Sequence, residues 1–209
     1  TYTGTTSVAA GRLSVNGSLA NSAVTVSGGE LGGSGSIAGS LTVQSGGRLA
    51  PGNSIASLAA GDTSFDAGAT FAYEVDSTNP ASLGSAADLL VVSGNLSIAS
   101  GTLLEFTDLA SSVNAFADGT RFALINYSGS WDNGLFTYGG VELADGDAFF
   151  AGLEEWQIDY NATSGGVNFT GDYLPNSSFV TVTAVPEPAT LALLAAAAGL
   201  AVLTTRRRR

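Results

Sequence analysis

The pattern of apolar and polar positions indicates many short β-strands. Phe65, Phe71, Tyr73 and Val75 alternate with small or polar residues as far as Asp76, and glycine separates the short β-branched runs. A period of two places one set of side chains on one face of a strand, while glycine supports the tight turns between strands. The chain is therefore predicted to be all-β.

The first third of the chain contains an internal repeat of 18 residues, with blocks at 10–27, 28–45 and 46–63 that align without gaps. The identical columns are Gly11, Gly29 and Gly47; Leu13, Leu31 and Leu49; Ser18, Ser36 and Ser54; and Ala20, Ala38 and Ala56. A further column, formed by Leu19, Ile37 and Ile55, is aliphatic throughout. Columns that keep register at a fixed period indicate a repeat architecture.

A block of this length suits one turn of a β-solenoid. It is too short for a strand–helix–strand unit, but it holds several short strands joined by glycine corners. Turns stacked about 4.8 Å apart would place the leucine and isoleucine columns inside the solenoid. Arg12, Glu30 and Arg48 alternate in charge along one column, so they would attract one another on successive turns.

After residue 62 the 18-residue repeat becomes less regular, although similar strand and turn segments continue. The segment 77–87 reads as a loop, the segment 88–94 starts another turn, and aromatic residues, including Trp131 and Trp156, become frequent from 116 to 173. An aromatic-rich end would close the open edge of a solenoid. The predicted organisation is β-solenoid repeats at 1–110, an aromatic-rich β cap at 111–173, a polar linker at 174–185 and a distinct tail at 186–209.

Charge and composition exclude some classes of binding partner and some kinds of metal site. The chain has 7 basic residues, all arginine, against 18 acidic ones, and four of those arginines are its last four residues. The remainder therefore carries three arginines against 18 acids, a net charge of −15. Such an acidic domain repels phosphate backbones, so nucleic acid is not expected as a partner. Cysteine is absent, which excludes disulfides and thiolate metal sites.

The two ends of the chain differ in character. Residue 1 falls inside the repeat pattern and the first ten residues lack a signal peptide, so the sequence is expected to be a fragment or a trimmed chain. Residues 189–205 are uncharged and would span about 26 Å as a helix, which predicts a transmembrane helix and a transient anchor. The arginines Arg206, Arg207, Arg208 and Arg209 would stay in the cytoplasm and place the acidic domain outside.

A short motif precedes this apolar stretch. Pro186 and Pro188 lack backbone donors and favour extended neighbours, so they hold Glu187 in a non-helical strip that a processing enzyme can bind. An ordinary tail-anchored helix with a proline-rich entry is the alternative reading. It predicts a periplasmic protein that keeps its four arginines.

Two family resemblances follow from these segments. Residues 4–103, through the segments 24–31, 49–55 and 88–94, resemble the autotransporter-associated β-strand repeats of secreted bacterial proteins. This resemblance implies a right-handed parallel β-helix, although the barrel translocator of a full autotransporter does not follow. The tail, from Pro186, Glu187 and Pro188 to the four arginines, resembles the PEP-CTERM sorting signal. That likeness implies recognition and cleavage by an exosortase in the membrane, and a didermal bacterium that makes exopolysaccharide.

Catalytic chemistry has few candidate residues. Without histidine, cysteine or lysine, the common nucleophile and base triads cannot form, and no catalytic, cofactor or metal residue is assigned. The carboxylates that could serve a glycosidase are Asp145, Asp147, Glu154, Glu155 and Asp159. The first two read as a turn and the next two as solvated charge before a strand. Residues 32–36 resemble the start of a calcium-binding repeat but lack its aspartate, so they read as a turn.

The favoured hypothesis is an exported, non-enzymatic protein of the cell envelope or surface. Its β-helix would act structurally or as an adhesin in the surface matrix, with exopolysaccharide or envelope components as partners beside the exosortase. A carbohydrate-active β-helix, either a hydrolase or a lyase, is the main alternative. It requires at least two carboxylates that converge in a groove.

Overall fold

The computed structural model describes residues 4–111 and 114–186. Strands account for 48% of the chain and helix for 3%, which confirms the all-β prediction. The helical residues belong to two short 3₁₀ turns, Leu83–Ser85 and Thr170–Asp172. Successive strands visit three sheets in turn, and each round adds one parallel strand to each sheet. This connectivity is that of a β-solenoid.

The three sheets, in spatial order, contain the following strands. Sheet A comprises β1 (Thr6–Val8), β4 (Val24–Val26), β7 (Leu41–Val43), β10 (Thr63–Phe65) and β13 (Leu96–Ile98). Sheet B comprises β2 (Arg12–Ser14), β5 (Glu30–Gly33), β8 (Arg48–Pro51), β11 (Thr70–Val75), β14 (Thr102–Asp108), β16 (Phe136–Tyr138) and β17 (Val141–Glu142). Sheet C comprises β3 (Ser18–Leu19), β6 (Ser36–Ile37), β9 (Ser57–Ala60), β12 (Leu89–Val92), β15 (Arg121–Tyr127), β20 (Ser178–Val185), β19 (Glu154–Ala162) and β18 (Ala148–Ala151).

The predicted 18-residue register holds in the first two rungs and then changes. Leu13 pairs with Leu31 and Leu31 with Leu49 in sheet B, as the repeat predicts. In sheet C, however, Ile37 pairs with Ala60 and not with Ile55. The prediction is wrong there because β8 continues to Pro51 and the chain then bends before β9. Ser54 and Ala56, the other predicted members of these columns, lie in the same connection.

The interior consists of columns of apolar side chains that lie directly above one another. Sheet A contributes Val8, Val26, Val43, Phe65 and Ile98, and sheet B contributes Leu31, Leu49, Phe71 and Leu104. Each of these side chains is at most 5% exposed. Full burial of one such side chain stabilises the fold by about 1.5–3 kcal/mol. Burial of these columns therefore stabilises the stacking of the rungs.

The predicted charge column also forms, on the outer face of sheet B. Glu30 accepts ion pairs from Arg12 at 3.1 Å and from Arg48 at 2.6 Å. Arg48 uses its remaining nitrogens to hold both carboxylate oxygens of Glu105, at 3.2 and 3.0 Å. The charge ladder, defined as Arg12, Glu30, Arg48 and Glu105, thus alternates in sign along the solenoid axis. Partial burial alone would lower the pKa of Arg48, but the hydrogen bonds that it donates to Glu105 and Glu30, and the charges of these two acids, raise it.

The parallel ladders extend beyond residue 110, into the segment predicted as the cap. β15 pairs in parallel with β12, and β16 pairs in parallel with β14. The last strands, β17 to β20, are antiparallel to their neighbours. Aromatic side chains fill this end, with the Trp156 ring 5.2 Å from Phe106, 5.8 Å from Phe116 and 6.0 Å from Phe122.

The linker predicted at 174–185 is wrong for residues 178–185, which form β20. This strand lies between β15 and β19 in sheet C and pairs with both. Phe179, Val180, Val182 and Ala184 are each at most 5% exposed. Thr181 and Thr183, which made the segment read as polar, alternate with Val180, Val182 and Ala184, and β-branched residues favour strands. Burial on both sides of the strand thus fixes the segment that was expected to be a polar linker.

Candidate functional site

β20 is the last strand of the described residues, and the predicted sorting motif follows it in the sequence. The backbone N–H of Ala184 donates to the carbonyl oxygen of Thr120 at 2.8 Å, and its carbonyl oxygen accepts from Gly119 at 2.7 Å. Val185 pairs with Glu155 of β19 on the other side. The strand is therefore held from both sides up to its last residue. Pro186, the first residue of the predicted sorting motif, follows directly and is exposed.

Proline explains why the strand ends at this point. Pro186 has no backbone N–H, so it cannot extend the hydrogen-bonded ladder to a neighbouring strand. Its ring also favours extended geometry in the preceding residue, which agrees with the position of Val185 in β20. The motif therefore begins where the sheet can no longer pair with the chain.

The remaining predicted site residues, Glu187, Pro188 and the four from Arg206 to Arg209, lie outside the described residues. The predicted transmembrane helix at 189–205 lies outside them as well. Within residues 4–111 and 114–186, no helix has the length and apolar character needed to cross a bilayer.

The candidate carboxylates of the loop before β18 have structural partners. Asp147 accepts a hydrogen bond from the backbone N–H of Ala144 at 2.8 Å, and Gly146 has a φ of 84°, so residues 144–147 form the predicted turn. Asp145 accepts from the backbone N–H of Tyr160 at 2.9 Å. The Asp147 carboxylate therefore closes the turn between β17 and β18, and the Asp145 carboxylate holds this connection against β19.

The carboxylates of β19 face in different directions. Glu154 is 8% exposed, and its Oε1 accepts from the backbone N–H of Phe116 at 2.6 Å, so the prediction of a solvated charge is wrong for this residue. The reason is the alternation of β19, in which Glu154 shares the inward face with Trp156 while Asp159 lies on the opposite face. Asp159 accepts from the backbone N–H of Asn161 at 3.0 Å. β19 thus does not bring Glu154 and Asp159 together.

A surface groove runs along the outer face of sheet C. Its cavity of about 660 Å³ is lined by small residues, including Ser18, Ser36 and Ser57, with Asp172 as its one carboxylate. A pair of carboxylates, which glycoside hydrolysis normally requires, does not line this groove. Among the described residues, histidine, cysteine and acidic side chains form no group that could hold a metal ion.

Sequence reasoning missed a buried polar cluster beneath the cap. Asp88 is fully buried, and its carboxylate accepts from the backbone N–H groups of Ala56 at 2.9 Å and Glu74 at 3.2 Å. The Asn168 side chain donates to the Asp88 carbonyl oxygen at 2.7 Å and accepts from the N–H of Ala123 at 2.8 Å. Burial raises the pKa of Asp88 to about 8 in spite of the two N–H donors. The sequence feature that could have revealed Asp88 is its position, because it is an acidic residue directly before a strand of apolar residues.

Comparison with known proteins yields one finding, and it concerns the exit of the chain. No curated protein matches the sequence. Residues 184–209, however, match the family model described as the PEP-CTERM protein-sorting motif. The match overlaps the last two residues of β20, so the motif begins inside the sheet. The tail of this chain is therefore a PEP-CTERM sorting motif, which indicates export to the cell envelope or surface and sorting by an exosortase.

Proposed function

We propose that this chain is a non-enzymatic protein of the bacterial surface matrix, delivered by its sorting motif and cleaved from its tail by an exosortase. The β-solenoid then acts in the matrix as a structural or adhesive element. The observation that carries this proposal is the geometry of the exit. A fully paired strand ends at Val185, and the exposed Pro186 continues into the sorting motif.

The exit suits cleavage that leaves the domain intact. Every described pairing of β20 lies before Pro186, so removal of the following residues leaves these strand pairs in place. Phe179 and Val182 remain buried in the product, because β15 and β19 cover them. The processed domain is therefore expected to be as stable as its precursor.

The contacts of the candidate acidic side chains, and the residues of the sheet C groove, support a non-enzymatic role for the described domain. The carboxylates of Asp145, Asp147 and Glu154 were candidates for catalysis. Each of them accepts a hydrogen bond from a backbone N–H group of the cap. The groove of sheet C offers hydroxyl groups and small side chains over several rungs, which is a surface for hydrogen bonding to matrix polysaccharide. We assign exopolysaccharide or other envelope components as the partners on this basis.

The test compares the intact mass and the fractionation of the chain expressed in a host that carries an exosortase. Replacement of Pro186, Glu187 and Pro188 by alanine is expected to leave the tail attached and the protein in the membrane fraction. Asn79→Ala/Pro80→Ala, in the loop 77–87, is the matched control and is expected to be processed normally. If the unsubstituted chain keeps its full tail, it is a permanently anchored protein and the proposal fails.

A further inference from the structure

An exposed aromatic side chain lies on a rigid hairpin beside the exit. Phe150 is 56% exposed in β18, and Leu153, at the tip between β18 and β19, is 57% exposed. The hairpin does not owe this exposure to loose packing, because Phe149 next to it is buried and its ring lies 4.7 Å from Tyr138. Phe150 and Leu153 thus place two exposed apolar side chains on one hairpin, whose packing against the cap is fixed by Phe149.

Additional hydrogen bonds hold the same hairpin. The Tyr138 hydroxyl donates to the carbonyl oxygen of Phe150 at 3.0 Å. The indole N–H of Trp156 donates to the carbonyl oxygen of Ala151 at 3.2 Å, inside the core of the cap. The position of Phe150 is therefore set before any partner arrives, which lowers the entropy that its immobilisation would cost on binding.

The hairpin and the exit share one row of sheet C. Phe150 pairs with Glu155, and Glu155 pairs with Val185. Directly paired residues of antiparallel strands project their side chains to the same face, so these three side chains form a row that we call the exit row. Pro186 follows the last member of the row. An enzyme that binds the motif at Pro186 must approach beside Glu155 and Phe150.

The length of the connection restricts where this enzyme can lie. Only residues 186–188 separate β20 from the apolar stretch that begins at 189, and three extended residues reach about 10 Å. The folded cap is therefore held close to whatever binds the motif. The polar linker predicted at 174–185 would have separated them, but those residues belong largely to β20.

The negative charge of this part of the chain favours a protein, and not a lipid surface, as the partner that binds the exit row. Glu155 lies in the middle of the exit row, and outside its last four residues the chain carries three arginines against 18 acids. Anionic headgroups would repel such a surface. A protein surface with an apolar pocket next to a basic group would instead complement Phe150 and Glu155 together.

We infer that the exit row, with Leu153 at the adjoining tip, is a docking surface for the membrane-embedded processing enzyme, which binds this folded edge together with the motif. The inference rests on the proposed function, since it adds a second contact to the same processing event. The motif supplies the extended segment at the enzyme's active site. The exit row fixes the orientation of the domain and increases the rate of processing.

The test measures the rate of tail removal in an exosortase-carrying host. Phe150→Ser/Leu153→Ser is expected to slow processing roughly tenfold, as loss of a central apolar anchor does. The matched control, Leu103→Ser/Val167→Ser, removes two exposed apolar side chains from other strands and loops, 44% and 40% exposed, and is expected to leave the rate unchanged. Thermal unfolding of both variants reports whether the cap remains folded.

A second variant tests the role of the exit row while all of its residues stay unchanged. Ten glycine and serine residues inserted between Val185 and Pro186 uncouple the motif from the exit row and are expected to slow processing to a similar degree. Normal processing of both the serine variant and the insertion variant would overturn the inference and leave the proposed function intact. Absence of processing in the unsubstituted chain would instead refute the proposed function.

Lipid contact is distinguished in a host without an exosortase. There the unsubstituted chain and Phe150→Ser/Leu153→Ser are expected to fractionate with the membrane to the same extent, because the tail alone holds them. If the serine variant is released while the control variant is retained, the surface contacts lipid and the inference is wrong.

Discussion

The indole ring of Trp131 lies flat on the phenol ring of Tyr160, with ring centroids 5.2 Å apart and planes inclined by 5°. Trp131 forms an isolated parallel bridge with Leu96 of β13, the last strand of sheet A. Tyr160 belongs to β19, an antiparallel strand of the cap. The contact therefore joins the last turn of the solenoid to the cap, at the place where the repeat ends.

Tyr160→Phe is expected to destabilise the chain by about 2 kcal/mol, because it leaves buried polar groups without a partner. The Tyr160 hydroxyl accepts from the N–H of Phe136 at 2.9 Å and donates to the carbonyl oxygen of Leu143 at 3.0 Å. Chemical denaturation of both proteins measures the difference. Tyr138→Phe, which loses one exposed hydrogen bond, should cost less than about 1 kcal/mol. If both substitutions lower the free energy of unfolding equally, the buried hydrogen bonds of Tyr160 contribute no more than the exposed hydrogen bond of Tyr138.

Gly35→Ala is expected to destabilise the solenoid by more than about 2 kcal/mol through overpacking. A Cβ at Gly35 would collide with the carbonyl oxygen of Gly17, its counterpart one rung earlier. Gly17→Ala is the matched control, because a Cβ at that position meets no atom within 4 Å. Thermal unfolding should therefore separate two identical substitutions at equivalent repeat positions. If both melt alike, the close stacking of the two rungs at this corner is not present.

Glu30→Lys is expected to destabilise the chain by about 1 kcal/mol at low salt, because it places three positive charges in one column. Glu30 now separates Arg12 from Arg48 and pairs with both. The loss should shrink in high salt, where screening weakens the repulsion. Asp118→Lys changes the same charge at an exposed turn and should show no such effect. A loss that salt leaves unchanged would contradict the charge ladder as its cause.

Stability is expected to fall as pH rises from about 4 to about 8, because of Asp88. The pKa of Asp88 is about 8 in the folded chain, whereas a free aspartate has a pKa near 4. Between these values the folded state holds a proton that the unfolded state has lost. The free energy of unfolding therefore decreases with pH until the folded pKa is passed. The nearby charge of Glu74 acts in the same direction.

Asp88→Asn is the matched variant for this pH dependence. It keeps an acceptor for one of the two N–H donors at Ala56 and Glu74, and it cannot ionise. Urea unfolding between about pH 5 and about pH 8, within the interval set by those two pKa values, should show a smaller slope for the variant than for the unsubstituted chain. Parallel slopes would mean that Asp88 is not the group responsible.

The sequence by itself determined the strand class, the stacking of the first rungs and the destination of the protein. These features depend on local patterns: the columns at Leu13, Leu31 and Leu49, the alternating charges beside them, and the contiguous tail motif at 184–209. Identical residues at a fixed period have one simple way to stack, so local pattern and global register agree.

Only the tertiary structure decided the fate of residues 178–185 and the positions of the buried acids. A Thr-rich segment reads as polar until strands from both sides cover it, and one of these strands, β15, comes from a part of the chain far from β20. Glu154 is likewise buried through a contact with Phe116, 38 positions away. Burial of this kind depends on which distant segments meet, so local periodicity could not reveal it. It is this tertiary pairing that joins the sorting motif to the folded cap.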